Sequence, residues 1–112
     1  MNKPSLRFPN HFLWGASTSS HQVEGHTVNN WSEWEKSPPR LEALAQSGDF
    51  KRYGRDNFIS GAACEHLSRY REDYALAKQL GHTATRLSIE WSRVEPREGV
   101  FDETALAAYR SM

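Results

Sequence analysis

The chain has 112 residues, and 14 Lys and Arg balance 14 Asp and Glu, so no surplus positive field steers it to nucleic acid or to an anionic membrane surface. Five Phe, four Trp and four Tyr argue against a disordered tail, while a hydrophobic share of 38% and a mean hydropathy of -0.77 are lean for an independent globule. A single cysteine, Cys64, excludes an internal disulfide and a multi-cysteine zinc site.

The opening "MNKPSLRFPNHFLWG" lacks an apolar run of signal-peptide length, and no later stretch approaches the roughly 18 apolar residues of a membrane span. With the lone thiol, this leads to the expectation of a soluble cytoplasmic protein. "FLWGASTSSHQVEG" begins apolar and ends polar before a glycine, which predicts a first strand over about 12–25 opening into a loop. From 26 to 63 the chain mixes "NNWSEWE", the breaker "SPPR" and several glycines, which reads as a long loop with a short helix at 41–46. A connection of that length is usually functional or disordered.

In "CEHLSRYREDYALAKQLG" the residues Leu67, Tyr70, Tyr74, Ala77 and Leu80 recur at spacings of three and four, which predicts a helix over 64–80 stopped by Gly81. "TATRLSIEW" then alternates, predicting a second strand over 83–91 with Leu87, Ile89 and Trp91 on one face and Arg86, Ser88 and Glu90 on the other. Pro96 and Gly99 break it, and Asp102 is a suitable N-cap for a second helix from 102 that runs into the C-terminus. The order is that of a βαβ unit followed by the start of another helix, an α/β arrangement. In such a unit the apolar face meets the helices, so the polar face carries Arg86 into the covered side of an open sheet or the interior of a barrel.

Arg86 is permanently charged and needs a carboxylate or phosphate there; one reading is a structural ion pair with Glu90, and another is the support of a reactive carboxylate. Gln22 lies where the first strand ends, the side on which α/β barrels and open sheets place their sites, and its amide can both donate to and accept from a hydroxyl. A solvated loop glutamine is the bland alternative. Trp31 and Trp34 form either an apolar platform for a sugar face or the core of a loop. The histidines 11, 21, 26, 66 and 82 show no metal-ligand spacing, no phosphate-cradling glycine motif occurs, and no serine sits in a nucleophile elbow, so neither a metal nor a cofactor is expected. Carboxylates remain, among them Glu24, Glu33, Glu35, Glu65, Asp73, Glu90, Glu95 and Glu98, and composition cannot select from them a pair placed for catalysis.

Taken together and in order, "FLWGASTSSHQVEG", "NNWSEWE", "SRYREDYALAKQLG" and "TATRLSIEWSRVEPREGVFDETALAAYR" resemble the amino-terminal part of glycoside hydrolase family 1, the β-glucosidase family. The resemblance implies about two βα units of a (β/α)8 barrel that hydrolyses β-glycosides or oligosaccharides through two carboxylates, without a cofactor. Residues 1–112 would be an incomplete domain, since a whole barrel usually needs roughly 250 residues. By the same resemblance Gln22 binds hydroxyls of the sugar and Arg86 pairs with the nucleophilic glutamate, while Trp91 and Arg93 are structural. The family's acid/base motif, Thr-x-Asn-Glu-Pro, and its nucleophile motif, Thr-Glu-Asn-Gly, do not occur among these residues; "VEG" at 23–25 and "VEP" at 94–96 only look like them. Two departures from the family pattern are Glu65, where an Asp is common, and Thr85, where an aromatic residue is common. The isolated chain is therefore expected to be inactive. The alternatives are a non-catalytic carbohydrate-binding module, or half of a split enzyme completed by a second, carboxy-terminal chain.

Overall fold

The computed structural model describes residues 6–112. Its only sheet among the described residues pairs β1 (Gly15–Ser17) with β2 (Ala84–Arg86) in parallel, in the register Gly15↔Ala84, Ala16↔Thr85 and Ser17↔Arg86. Gly15 is required by that pairing, because a Cβ there would overlap the Ala84 carbonyl. The approach to β1 is held by Trp14, whose N–H donates to Thr83 Oγ1 at 3.0 Å. Phe8, Phe12 and Trp14 pack their rings at centroid distances of 4.6 to 4.8 Å, yet all three remain exposed.

Both predicted strands are much shorter than the sequence pattern suggests. The first, expected over 12–25, ends at Ser17 and is followed by a one-turn helix, α1 (Ser20–Val23), with Glu24 as its C-cap. Gln22 therefore stands on a helical turn rather than at a strand end. The second, expected over 83–91, ends at Arg86, and Trp91–Val94 forms another single turn, here α6. The alternation survives in part as a burial pattern of the opposite sense: Glu90 is buried, whereas Ile89 and Trp91 are more than half exposed. The polar side of this segment has partners in α1, while on its apolar side Trp91 meets Phe101 edge to face at 6.4 Å and still stays 58% exposed.

Residues 26–63 do not form a plain loop. They hold α2 (Asn30–Glu35), α3 (Pro38–Ala45), α4 (Gly48–Tyr53) and a 3-10 turn over Arg55–Phe58. Local sequence explains the three helix starts. Asn29 and Ser32 form a reciprocal capping box, Ser47 accepts from the Phe50 N–H, and Ser37 precedes two prolines at the first helical positions. "SPPR", read above as a breaker, is thus a helix start, because the missing proline N–H groups fall where a helix has no intrahelical acceptor for them. The short helix expected at 41–46 lies within and just beyond α3.

The long helix α5 (His66–Gln79) begins two residues later than the predicted 64–80, after Glu65 in the left-handed region at φ 57°. Cys64 lies outside it, exposed, with its thiol on the Val23 carbonyl at 3.3 Å. The last helix, α7 (Glu103–Ser111), is capped by Asp102, whose Oδ1 accepts from the N–H groups of Thr104 and Ala105 at 2.8 and 3.0 Å.

The apolar core is small. Among the described residues only Tyr70 and Val94 are buried hydrophobics, and Leu80, at the end of the α5 stripe, is 80% exposed. The radius of gyration is 19.1 Å, against roughly 13 Å for a compact chain of this length. Expressed alone, the 112 residues are expected to melt without a cooperative transition and to associate with themselves; sedimentation velocity beside a thermal scan checks this, and a monomer with a sharp melt would overturn it.

Candidate active-site cleft

A cleft of about 680 Å³ opens between α1, α2 and the 3-10 turn. Gln22 is exposed on its α1 wall, and Trp31 and Trp34 line it from α2. The two indole rings meet edge to face at 5.6 Å and are 57% and 51% exposed, so they are not the core of the loop. They offer an apolar surface to something in the cleft. The Arg40 guanidinium stacks over Trp34 at 4.7 Å from the ring centre, while its nitrogens donate to the carbonyls of Glu35 and Phe58, both at 2.7 Å.

His21, Glu35 and Ser60 also line the cleft and belong to a hydrogen-bonded set that sequence reading did not single out. His21, from α1, places Nε2 3.0 Å from Glu35 Oε1 and Nδ1 3.0 Å from Thr27 Oγ1. Glu35 Oε2 accepts from both the N–H and the hydroxyl of Ser60 at 2.9 Å. Burial pushes the Glu35 carboxyl up, but the Ser60 N–H, His21 and the Ser60 hydroxyl together hold it below its ordinary value. Glu35 is thus an ionised anchor between α1, α2 and the chain after the 3-10 turn. No spacing signal marks this set, because its partners lie 6, 14 and 25 residues apart.

A second network fixes both ends of α1. At its start the Ser20 N–H donates to Ser88 Oγ at 2.8 Å and the Ser20 hydroxyl to Glu90 Oε2 at 3.1 Å. At its end Glu24, with a side chain only 3% exposed, accepts from Arg93 Nε at 3.0 Å and from the Tyr109 hydroxyl at 2.8 and 2.9 Å. Arg93 also donates to the Gly25 carbonyl. Gly25 has φ 83° and no room for a Cβ beside the Ala62 carbonyl, so the chain turns away from α1 only with glycine there. Burial and the bond to Glu24 push the Tyr109 hydroxyl far above its ordinary pKa, so it stays a proton donor.

Arg86 does not line this cleft. Its guanidinium is exposed and donates to Ser17 Oγ at 2.9 Å across the β1–β2 pair. Glu90 is not its partner, which corrects the ion-pair reading. That carboxylate is taken up by Ser20, Asn29 and Ser92 instead. Among the described residues Arg86 forms no ion pair with a carboxylate. No group of three metal-ligating side chains occurs among the described residues, and no described helix is long and apolar enough to cross a membrane.

The chain matches glycosyl hydrolase family 1 over residues 5–112 and belongs to that family. It is 35% identical over 106 residues to the aryl-phospho-beta-D-glucosidase BglC of Bacillus subtilis (strain 168), covering 94% of this chain and 21% of that protein. The beta-glycosidase from Pyrococcus horikoshii superposes with a TM-score of 0.69 at 37% identity, over 95% of this chain and 22% of its own. The beta-glucosidase from Thermotoga maritima in complex with castanospermine gives 0.67 at 27% identity, over 93% of this chain and 22% of its own. These solved relatives are (β/α)8-barrel glycosidases matched over their amino-terminal part. The chain therefore spans about a fifth of the length of the relatives it matches.

Proposed function

We propose that these residues supply the first two βα units of a retaining β-glycosidase acting on β-D-glucosides, with or without a phosphate on the sugar. Gln22 hydrogen-bonds hydroxyls of the sugar, and Arg86 holds the nucleophilic carboxylate, which lies outside the 112 residues together with the acid/base. The observation that carries this reading is the placement of Gln22 on the wall of a cleft faced by two exposed tryptophans, in a chain of this family. An amide among apolar ring faces is the combination a sugar needs, since its ring carries C–H faces and hydroxyl edges. Arg86, exposed and without a carboxylate among the described residues, supports the second assignment.

The test begins with the gene beyond codon 112, which this reading expects to encode Asn-Glu-Pro and later Glu-Asn-Gly. In the full-length protein, Gln22→Ala is expected to lower kcat/KM for p-nitrophenyl β-D-glucoside, or for its 6-phosphate, by about 10- to 100-fold, because a site built to bond a hydroxyl loses that bond. The 112 residues alone are expected to release no nitrophenol above buffer. An unchanged kcat/KM in the variant would remove Gln22 from the site, and turnover by the isolated chain would refute the placement of both carboxylates elsewhere.

A further inference from the structure

We infer that Glu90 is a positioning residue for the sugar cleft, tying its two walls to the segment that continues β2; the inference rests on the reading of Gln22 above. Glu90 is 7% exposed and does not line the cleft, so it has no access to a substrate. Its Oε2 atom alone receives both walls, from Ser20 Oγ at 3.1 Å and from Asn29 Nδ2 at 3.0 Å. Ser20 opens the turn that carries Gln22 two residues later, and Asn29 caps the helix that carries Trp31 and Trp34.

The orientation of Asn29 follows from its second task. Its Oδ1 accepts from the Ser32 N–H at 2.9 Å, which directs the amide nitrogen to Glu90, so one side chain starts α2 and docks it. The other carboxylate oxygen accepts from the Ser92 hydroxyl at 2.8 Å, and the Glu90 N–H donates to the Tyr109 hydroxyl at 3.0 Å. Burial raises the carboxyl, but the Ser92, Asn29 and Ser20 hydroxyl and amide donors outweigh it and hold Glu90 ionised below its ordinary range.

A carboxylate suits this point because every neighbour donates. An acceptor-only group meets donors on both of its oxygens, the Ser20 hydroxyl and the Asn29 amide on one and the Ser92 hydroxyl on the other. Glutamine keeps the shape but has one acceptor oxygen and no charge, so its bonds to these donors are neutral and weaker, and its amide nitrogen meets a donor unless the Ser92 hydroxyl turns to accept. Loss of this joint lets α1 and α2 shift against each other, and Gln22 and the tryptophans lose their common frame.

The experiment is a double-mutant cycle in the full-length protein, with Glu90→Gln and Gln22→Ala singly and together. Glu90→Gln is expected to lower kcat/KM about 10- to 100-fold, and the double variant to fall little below the worse single one, because both changes remove the same sugar contact. Multiplying effects would show that Glu90 acts independently of Gln22 and would overturn the inference while leaving the role of Gln22 intact. If Gln22→Ala alone has no effect, the functional reading fails and the inference falls with it. Should Glu90→Gln not fold, Ser20→Ala replaces it in the cycle, since it cuts only the α1 link and leaves the Ser20 N–H on Ser88, with the same two outcomes.

Discussion

Arg86→Ala in the full-length protein is expected to lower kcat about 100- to 1,000-fold, with a smaller change in KM, the size seen when one preorganised charge facing the reacting centre is removed. The proposed role is electrostatic. A guanidinium beside the nucleophile keeps that carboxylate ionised and aimed, so its loss raises the nucleophile's pKa. The active form is the ionised one, and the acidic limb of the pH–rate profile therefore moves to higher pH in the variant. Arg86→Lys keeps the charge but not the planar fork, and should recover only part of the rate. Steady-state kinetics from pH 4 to 8 decide the matter. An unshifted acidic limb with full kcat would mean that Arg86 serves only its 2.9 Å contact with Ser17.

Arg93→Ala is the substitution expected to damage stability most. It leaves Glu24 charged, 3% exposed and bonded only to Tyr109, and it removes the donor to the Gly25 carbonyl. Breaking a buried pair from one side costs about 3–5 kcal/mol, because the remaining charge stays desolvated. The exposed pair Arg69–Glu72, at 3.3 Å with side chains 55% and 69% exposed, provides the contrast, since pairs of that kind contribute about 0–1 kcal/mol. Urea unfolding of the full-length protein, followed by tryptophan fluorescence, should place the Arg93→Ala midpoint well below that of Arg69→Ala. Coincident midpoints would show that the Glu24 site can relax or admit water.

How much of this was legible in the sequence differs from element to element. The α5 helix and the start of α7 were readable because a three-and-four spacing and an N-cap are local signals, carried within a few residues. The strands were overextended because alternation records which side chains face alike, not how far a ladder runs. Beyond Ser17 and Arg86 no ladder continues among the described residues. The helices within 26–63 were missed because short capped turns look like loops when glycines and prolines are counted as breakers. Trp31 and Trp34 were recognisable as a pair, but their exposure was not.

The sequence alone determined the family and the order of the βα units, because motifs and periodicity lie along one chain, and the resemblance to that family singled out Gln22 and Arg86 as the residues worth testing. Only the tertiary structure decided that Gln22 and the two tryptophans share one cleft, that Arg86 bonds Ser17 and not Glu90, and that Glu24 and Glu90 are the buried anchors. The partners of those carboxylates come from as far as 85 and 70 residues away, and a hydrogen bond depends on distance in space, which no local pattern encodes.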